Sequence, residues 1–431
     1  MIQDPQMMKI VVIALFAITY VCLMLLPKIR AYIALGCAVV FVLIGALPLS
    51  QVVHEVDWNV LMMIAGTMGT VYFFIESKMP ALLADIIINK MPTVKWAIIS
   101  LALFAGIISA FVDNVATVLM VAPIALTISK KLNMSPVLSI IAIAVSSNLQ
   151  GAATLVGDTT SILLGGYANM TFLDFFFFRG RIGMFWIVQA GAIMSTFVLM
   201  YIFRKDSQPI SIKDRTVVTD FFPTVMLAGT VLLLIIASFV PAESKPTTIN
   251  GIICVALFVL CLIRAVVQTK NTEVLKNALA EIDGFTLLLL ASLFVVIGGV
   301  SHVGIVGDIG AFLAGLTDNL FVLYTIIVWI SVLLSAFIDN IPYIATMLPI
   351  VTVMSQTLGA NSEYVLYFGL LAGATLGGNL TPIGASANIT GIGILKKAGY
   401  EVDTKTFMKV SVPFTLSAVV TGYILIWLIW S

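Results

Sequence analysis

The sequence has little charge. Lys, Arg, Asp and Glu make up 10% of its 431 residues, whereas soluble globular proteins carry about 25% charged residues. A surface so poor in charge cannot face water. Apolar segments of about 20 residues, long enough to cross a bilayer as a helix, recur along the whole chain. The sequence therefore predicts an all-α polytopic membrane protein surrounded by lipid bilayer, and without a basic run it gives no sign of a nucleic-acid partner.

Cysteine and histidine are also scarce. The four cysteines lie inside predicted spans without CxxC spacing, and the two histidines lie near span ends without partner ligands: Cys22, Cys37, Cys254, Cys261, His54 and His302. This pattern excludes a Cys-rich or His-rich metal or catalytic cluster, and no ATP-binding loop is present. We therefore expect no cofactor and no enzymatic activity.

Two apolar runs, 96–129 and 321–357, are too long for one span, and each carries an Asp-Asn pair at its middle. The pairs are Asp113-Asn114 in SAFVDNVATVLMVAPI and Asp339-Asn340 in SAFIDNIPYIATMLPI. Split at the aspartate, each run gives two arms of roughly 25 Å, shorter than the hydrocarbon core of about 30 Å. We predict two re-entrant helical hairpins, each with a polar tip inside the membrane.

The two halves of the chain repeat each other. The Asp-Asn pairs are 226 residues apart, EVDWNVLMM matches EIDGFTLLL at the same offset, and TLVGDTTSI matches TPIGASANI at an offset of 227. Self-similarity at a fixed spacing indicates an internal duplication. Each half contains five predicted spans and one hairpin. Because five is odd, we expect two repeats of inverted topology, with about ten transmembrane helices plus two hairpins.

The predicted boundaries follow from this duplication. They are a first repeat at 1–206 with a hairpin at 96–129 and a broken helix at 136–168, a cytoplasmic linker at 207–220, and a second repeat at 221–431 with a hairpin at 321–357 and a broken helix at 363–395. With an external N-terminus, 18 of the 22 Lys and Arg residues, including Arg30, Lys213 and Arg215, lie on one face. The positive-inside rule assigns that face to the cytoplasm, so both termini are predicted outside a cytoplasmic (inner) membrane.

The buried aspartates indicate an ion site. An ionisable group at membrane depth costs several kcal/mol and is usually functional. Asp113 and Asp339 are also expected to cap the second hairpin arms, but Ser or Asn would cap without burying a charge. Unpaired carbonyls at the end of each first arm, with the carboxylate and the amide of Asn114 or Asn340, form an oxygen cage. Such a cage suits Na⁺, and a proton on the carboxylate would serve equally.

The broken helices supply the facing wall. SSNLQGAATLVGDTT and ATLGGNLTPIGASAN contain too much Gly, Asn and Thr for a lipid-facing helix, and irregular backbone at membrane depth is tolerated where it lines a cavity. Close helix packing by small residues would account for the glycines alone. We predict further ion-binding residues at Gly157, Asp158 and Gly384. The predicted substrate-binding residues are Asn148, Thr154, Thr159, Asn379, Thr381, Ser386 and Asn388.

These motifs resemble the ion transporter superfamily. The two hairpin motifs, followed by NLQGAATLVGD and GGNLTPIGASANI, are most similar to the branch of arsenite permeases, NhaD-type sodium/proton antiporters and the P protein. The divalent anion:sodium symporters are more distant relatives. The resemblance implies a homodimer in which a scaffold domain carries the dimer contact and a transport domain moves by an elevator-type displacement. It also places Asp113-Asn114-Val115 and Asp339-Asn340-Ile341 at the Ser-Asn-Thr sodium-binding tips of the dicarboxylate symporters, and the Asp for Ser replacement argues against dicarboxylate transport.

The sequence favours an ion-coupled secondary transporter of a small anion or oxyacid. No Lys, Arg or His lies within the motifs, so Na⁺ or H⁺ would have to neutralise the aspartates before an anion binds. The same acidic lining suits a Na⁺/H⁺ antiporter, which is the alternative. A channel would require one continuous polar file, and an intramembrane enzyme would require a nucleophile, base or metal cluster.

Overall fold

The computed structural model describes residues 4–132, 134–209, 216–218, 220–241, 244–358 and 363–431. In these ranges the chain is almost entirely helical, which confirms the predicted fold class. A two-stranded hairpin of β1 (Phe177–Phe178) and β2 (Arg181–Ile182) is the one sheet in the described part. Residues 210–215 and 219 of the predicted linker, including Lys213 and Arg215, lie outside the described residues.

Ten α-helices lie in the described part of each half. The first half contains α1 (Pro5–Leu25), α2 (Arg30–Ile44), α3 (Val52–Glu55), α4 (Trp58–Glu76), α5 (Met79–Ile88), α6 (Val94–Ser109), α7 (Asn114–Lys131), α8 (Val137–Gly151), α9 (Thr159–Tyr167) and α10 (Met184–Ile202). The second half contains α11 (Phe222–Ser238), α12 (Ile249–Thr269), α13 (Glu273–Ala280), α14 (Gly284–His302), α15 (Ile305–Ala314), α16 (Leu320–Ser335), α17 (Asn340–Leu358), α18 (Glu363–Gly377), α19 (Ser386–Lys397) and α20 (Thr404–Trp430). Short 3-10 helices lie at Pro27–Ile29, Leu49–Gln51, Leu173–Phe175 and Gly378–Leu380.

The helix boundaries display the duplication directly. Each of α4, α5, α6, α7 and α8 begins 226 residues before α14, α15, α16, α17 and α18, respectively. The ten-residue helices α5 and α15 belong to this repeat, although the hydrophobic runs alone did not predict them. The chain therefore folds as two inverted repeats, as expected from the odd number of spans.

Seven helices in the described residues are long and apolar enough to cross a bilayer: Pro5–Leu25, Pro27–Ile44, Trp58–Glu76, Met184–Ile202, Ile249–Thr269, Gly284–His302 and Thr404–Trp430. The apolar helix α11 has 17 residues. The broken helices α8/α9 and α18/α19 complete the ten predicted spans. The hairpin arms have 16 residues in α6, 18 in α7, 16 in α16 and 19 in α17. That they end inside the membrane stays a prediction.

The two hairpins enter from opposite ends of the molecule. At the base of the first hairpin, the backbone amides of Val94 and Lys95 donate to the carbonyls of Gln208 and Asp206, next to the linker between the repeats. At the start of α18, just after the second hairpin, the hydroxyl of Tyr364 accepts a hydrogen bond from Arg179 in the β-hairpin. The linker follows α10 and the β-hairpin precedes it, so these two bases lie at opposite ends of the same spanning helix.

The repeats are intertwined. Helix α4 of the first repeat packs on α12 of the second, and α14 of the second packs on α2 of the first. Glycines permit these close approaches: Gly66 lies against the backbone of Cys254, Gly69 against the ring of Phe258, and Gly299 against the ring of Phe41. Small residues that let helix backbones approach are typical of packing in membranes.

The Gly66 contact can be tested by adding one methyl group. A Cβ at Gly66 would lie 2.3 Å from the carbonyl carbon of Cys254, and this backbone cannot rotate away. We expect Gly66→Ala to destabilise the protein by about 1–3 kcal/mol, as overpacking does in well-packed cores. Thermal unfolding of the purified protein in detergent measures the change. Gly36→Ala is the matched control, because a Cβ at Gly36 in α2 meets nothing within 4 Å; equal melting temperatures for the two variants would contradict the close packing.

Candidate functional site

Each hairpin tip is a helix N-terminus capped by its aspartate. Helix α6 ends at Ser109, the chain turns through 110–113, and α7 begins at Asn114. The Asp113 carboxylate accepts hydrogen bonds from the amides of Val115 (3.0 Å) and Ala116 (3.1 Å). In the second tip, Asp339 Oδ1 accepts from the amide of Ile341 at 3.1 Å. The expected capping role is therefore present in both repeats.

The charge partners of the two aspartates differ. Asp339 Oδ2 lies 2.6 Å from Nη1 of Arg30, the first residue of α2. Among the residues that the structure describes, Asp113 has no basic partner. In the sequence the two aspartates are equivalent by repeat position, and Arg30 is only one of the basic residues of the predicted cytoplasmic face. The structure shows instead that the two tips are electrostatically unequal.

The first tip is held by hydrogen bonds from side-chain amides. Asn114 Nδ2 donates to Asn148 Oδ1 at 2.9 Å, and Asn148 Nδ2 donates to the carbonyl of Thr375 at 2.8 Å. Asn148 is in α8 and Thr375 is in α18, so one side chain links the tip to broken helices of both repeats. The hydroxyl of Ser147 also donates to the carbonyl of Asn114 at 3.0 Å.

The breaks in the helices are stabilised by equivalent polar contacts. Thr154 donates through its hydroxyl to the carbonyl of Ala110 at the end of α6, and Thr381 does the same to Ala336 at the end of α16. Asn388 Nδ2 donates to the carbonyls of Gly378 (3.1 Å) and Thr381 (3.0 Å). Asn379 Nδ2 reaches across the repeats to the carbonyl of Val145 at 2.9 Å. Buried backbone carbonyls that the breaks leave open are thus satisfied by side chains, as membrane depth requires.

Carbonyl oxygens converge on two glycines that are 227 residues apart. A Cβ at Gly157 would lie 2.7 Å from the carbonyl oxygen of Gly151 and 3.0 Å from those of Ser109 and Ala110. Only glycine permits this approach. The oxygens belong to the C-terminal ends of α6 and α8, where the helix dipoles are negative.

The second cradle repeats the first. A Cβ at Gly384 would lie 2.6 Å from the carbonyl oxygen of Gly378, 2.8 Å from that of Ala336 and 2.9 Å from that of Ser335. These three carbonyls are the repeat equivalents of Gly151, Ala110 and Ser109. Each hairpin tip therefore packs on a broken helix through a glycine that lies close to three backbone carbonyl oxygens.

Both tips line a single cavity of about 340 Å³. Its polar wall combines residues of the two tips, the two broken helices and the starts of α2 and α14: Arg30, Asp113, Asn114, Asp158, Thr159, Glu281, Asp283, Thr286, Asn340, Ser386 and Thr390. Asp158 connects the repeats across this cavity. Its Oδ1 accepts from the amide of Thr159 at 2.7 Å, and Asn340 Nδ2 lies 3.5 Å from its Oδ2.

Six of the predicted site residues line this cavity: Asp113, Asn114, Asp158, Thr159, Asn340 and Ser386. The others lie behind its wall. Asn148, Thr154, Asn379, Thr381 and Asn388 hold the breaks through hydrogen bonds, Gly157 and Gly384 lie at the carbonyl cradles, and Asp339 pairs with Arg30. The ion-binding and substrate-binding roles stay predictions for both groups.

Three charged residues of the cavity are not among the predicted site residues. Arg30 lies far from the tips along the chain, 309 positions before Asp339, and gave no local signal. Glu281 and Asp283 did give a signal, because EIDGFTLLL repeats EVDWNVLMM with both acidic positions kept. Asp283 caps α14 through the amide of Thr286 at 3.0 Å, and it faces the cavity as well.

A second cavity, of about 440 Å³, is the repeat counterpart of the first. Its residues Glu55, Asp57, Phe294, Ile297 and Gly298 are each 226 positions from a residue that lines the first cavity: Glu281, Asp283, Met68, Val71 and Tyr72. The two cavities lie at opposite ends of α4, since one contains Ile75 and the other contains Asp57. The first reaches the hairpin tips at Asp113 and Asn340, whereas the lining of the second contains no tip residue.

The groups at the two tips that could hold an ion are oxygen atoms. In the part of the chain that the structure describes, no group of three His, Cys, Asp or Glu side chains is placed to hold a metal ion. Carbonyl, amide and single carboxylate oxygens are the groups available at each tip, and hard cations prefer oxygen ligands of this kind.

Comparisons with known proteins agree with this geometry. A family model described as "Citrate transporter" matches residues 20–373. An uncharacterized transporter of Mycobacterium tuberculosis is 28% identical over 98% of this chain and 98% of its own length. The P protein of Sus scrofa is 25% identical over 90% of this chain and 55% of its own length. These matches confirm the resemblance to the superfamily branch that contains the P protein.

A solved structure has the same fold. The crystal structure of the YdaH transporter of Alcanivorax borkumensis superposes with a TM-score of 0.58, covering 87% of this chain and 86% of that chain. The sequence identity is 15%, so the likeness carries the inverted-repeat architecture and no substrate.

The hydrogen-bond bridge through Asn148 gives a prediction about stability. Asn148→Ala leaves Asn114 Nδ2 and the Thr375 carbonyl without their partner. Because a side-chain hydrogen bond between membrane helices contributes about 0.6–2 kcal/mol, we expect a loss of about 1–3 kcal/mol, measured by thermal unfolding. The control is Ser139→Ala in the same helix, whose hydroxyl bonds only the local carbonyl of Pro136. Equal effects of the two substitutions would show that the bridge does not hold the tip.

Proposed function

The chain belongs to the citrate transporter family and is a multi-pass membrane transporter, and on this premise we propose that it is an ion-coupled secondary transporter of a small anion or oxyacid. One observation carries the proposal: both hairpin tips and both helix breaks meet at one cavity that has a repeat-related counterpart at the other end of α4. Secondary transporters with inverted repeats bind substrate and coupling ion at such a junction of discontinuous helices.

The coupling ion is Na⁺ or H⁺, bound at the first tip. Asp113 supplies a carboxylate that faces the cavity, and the carbonyl oxygens that converge on Gly157 lie on the same hairpin end and on α8. Negative helix C-termini favour a cation at this position. The second cradle, at Gly384, is a further candidate for an ion.

Cation binding would create the anion site. Asp113, Asp158, Glu281 and Asp283 face the cavity, so a free anion would meet four carboxylates before any cation is bound. Neutralising Asp113 with Na⁺ or H⁺ reduces this repulsion, and at low dielectric each neutralised charge matters more than it would in water. The need for both partners at once is the coupling: neither ion crosses alone.

The two cavities provide a route for alternating access. In the orientation predicted from the basic residues, the cavity with Glu281 and Asp283 opens toward the cytoplasm and the one with Glu55 and Asp57 opens outside. Exchange of the tips from one cavity to the other, by an elevator-type displacement of the hairpins and broken helices, would expose the site alternately. The homodimer that the resemblance implies and the inner-membrane location belong to the same proposal.

Citrate is the first substrate to test, because the matching family is named for it. Sulfate and arsenite follow from the wider resemblance. A cavity of about 340 Å³ falls within the range typical of small-ligand sites, which is about 300–1,000 Å³.

Na⁺/H⁺ antiport is the second candidate. The observation in its favour is the acidic excess of the cavity, where four carboxylates face one guanidinium. An antiporter would hold Na⁺ and H⁺ alternately on Asp113 and would need no anion. Dissipation of an imposed pH gradient by Na⁺ in the absence of any transported anion distinguishes the two functions.

Removing the Asp113 charge should weaken the dependence of transport on the coupling ion. In proteoliposomes with an imposed Na⁺ or pH gradient, we expect Asp113→Asn to weaken activation by the coupling ion about tenfold to a hundredfold, because a charge-assisted contact is lost. Uptake of labelled citrate, sulfate or arsenite is the measurement. Asp308→Asn is the control, because Asp308 forms an exposed ion pair with Lys9 away from the cavity and such pairs contribute little. Unchanged ion activation in Asp113→Asn would remove this residue from the coupling site.

Accessibility of the two cavities should be reciprocal. Met68 and Phe294 are repeat equivalents that line the first and the second cavity, respectively. Each residue is replaced singly by cysteine in a background without the four native cysteines. We expect Met68→Cys to react with an impermeant thiol reagent from one side of the membrane and Phe294→Cys from the other. Coupling ion plus substrate should raise one rate while it lowers the other. Labelling of both from the same side would contradict alternating access through these cavities.

A further inference from the structure

The cavity wall contains a positively charged side chain that does not come from the tip motifs. Arg30 lines it, and among the described residues of its wall no other Lys, Arg or His is present. The guanidinium donates from Nη1 to Asp339 Oδ2 at 2.6 Å, and the two side chains are only 16% and 15% exposed. The pair is therefore largely withdrawn from water. Charge interactions between such buried groups are screened much less than those at the surface.

One donor of this guanidinium lacks an acceptor among the described residues. Arg30 Nε is buried and has no hydrogen-bond partner within the part of the chain that the structure describes. A buried donor without an acceptor carries the cost of its lost hydration. An oxygen atom of a bound ligand would remove that cost, and guanidinium groups match carboxylate and other oxyanion geometry through two parallel donors.

We propose that Arg30 is the anion-binding residue of this cavity and that Asp339 occupies it in the absence of substrate. An incoming oxyanion then displaces the Asp339 carboxylate from the guanidinium. In this arrangement the two tips have different tasks: the first tip holds the coupling ion at Asp113, and the second supplies an internal competitor for the anion. The inference rests on the proposed function and names the residue that would select an anion.

The position of the pair gives the exchange a mechanical consequence. Arg30 begins α2, which packs on α14, whereas Asp339 belongs to the tip of the second hairpin. The hydroxyl of Tyr20 in α1 holds the same hairpin arm, donating to the Pro342 carbonyl at 2.9 Å and contacting the Thr346 hydroxyl. Transfer of Arg30 from Asp339 to substrate would release one of the contacts that hold this tip against α1 and α2.

Another ion pair in the chain provides a matched control. Arg264 Nη1 lies 2.6 Å from Asp220 Oδ2, the same geometry, with both side chains 32% exposed. The Arg264 hydrogen bond lowers the pKa of Asp220 below its usual value. Neither residue lines the cavity.

The test is citrate binding by the purified full-length protein at saturating Na⁺ and at low pH, measured by calorimetry and by the shift in melting temperature. Sulfate and arsenite are tested in parallel. We expect Arg30→Gln to weaken anion binding about tenfold to a hundredfold, because a charge-assisted hydrogen bond is lost. Arg30→Lys should retain part of the affinity. Asp339→Asn should tighten binding, because Arg30 no longer pairs with a charged competitor, and Arg264→Gln should bind as the parent does.

The direction of the Asp339→Asn effect separates this role from a structural one. If the pair only holds the fold, Asp339→Asn and Arg30→Gln will both lower the melting temperature and both weaken binding, and the inference is overturned. Undiminished anion binding by Arg30→Gln also overturns the inference. The proposed function still stands in that case if the parent protein shows ion-driven uptake. A parent protein that exchanges Na⁺ for H⁺ and binds none of the three probes overturns both.

Discussion

The structure depends on one constraint: a polar backbone group inside a membrane must find its partner within the protein. Two hairpins and two broken helices leave carbonyls and amides open at the centre of this chain, and nearby side chains satisfy several of them. The hydroxyls of Thr154 and Thr381 donate to carbonyls at the ends of the first hairpin arms, and the amide of Asn388 donates to a carbonyl at the second break. The aspartates accept from amides at the starts of the second arms. The same irregularity that creates this cost brings oxygen atoms together, so the features that stabilise the breaks also form the candidate ion sites.

Duplication explains why these features come in pairs, and the exceptions to the duplication indicate function. The carbonyl cradles at Gly157 and Gly384 match atom for atom, and the two cavities share equivalent walls. Against this background, Asp158 has no acidic counterpart in the second repeat, where Ala385 stands, and Arg30 pairs with one tip aspartate only. In the proposed mechanism, symmetry supplies two ways to open one site, and the unequal charges determine which ions it binds.

Much of the architecture could be predicted because its causes are local in the sequence. The length of the hydrophobic runs predicts the spans, and the Asp-Asn pairs predict the hairpin tips. The Gly, Asn and Thr residues at membrane depth predict the breaks. Glu281 and Asp283 are visible as a repeated acidic pattern, although the pattern alone does not place them in the cavity wall. Arg30 could not be found in this way. In the sequence, Arg30 is an ordinary basic residue at the end of a predicted span. Its contact is with Asp339, 309 positions away.

The sequence by itself therefore determined that this is a membrane protein with inverted repeats and two buried acidic tips, because hydrophobicity, helix length and the cost of a buried charge act along the chain. Only the tertiary structure decided which charges meet. Whether Asp113 and Asp339 are equivalent depends on where the end of another helix lies, and helix packing across the repeats places Arg30 beside one tip and leaves the other without a counter-ion among the described residues. Electrostatic energy depends on distance in space, and distance in space is what a sequence does not state.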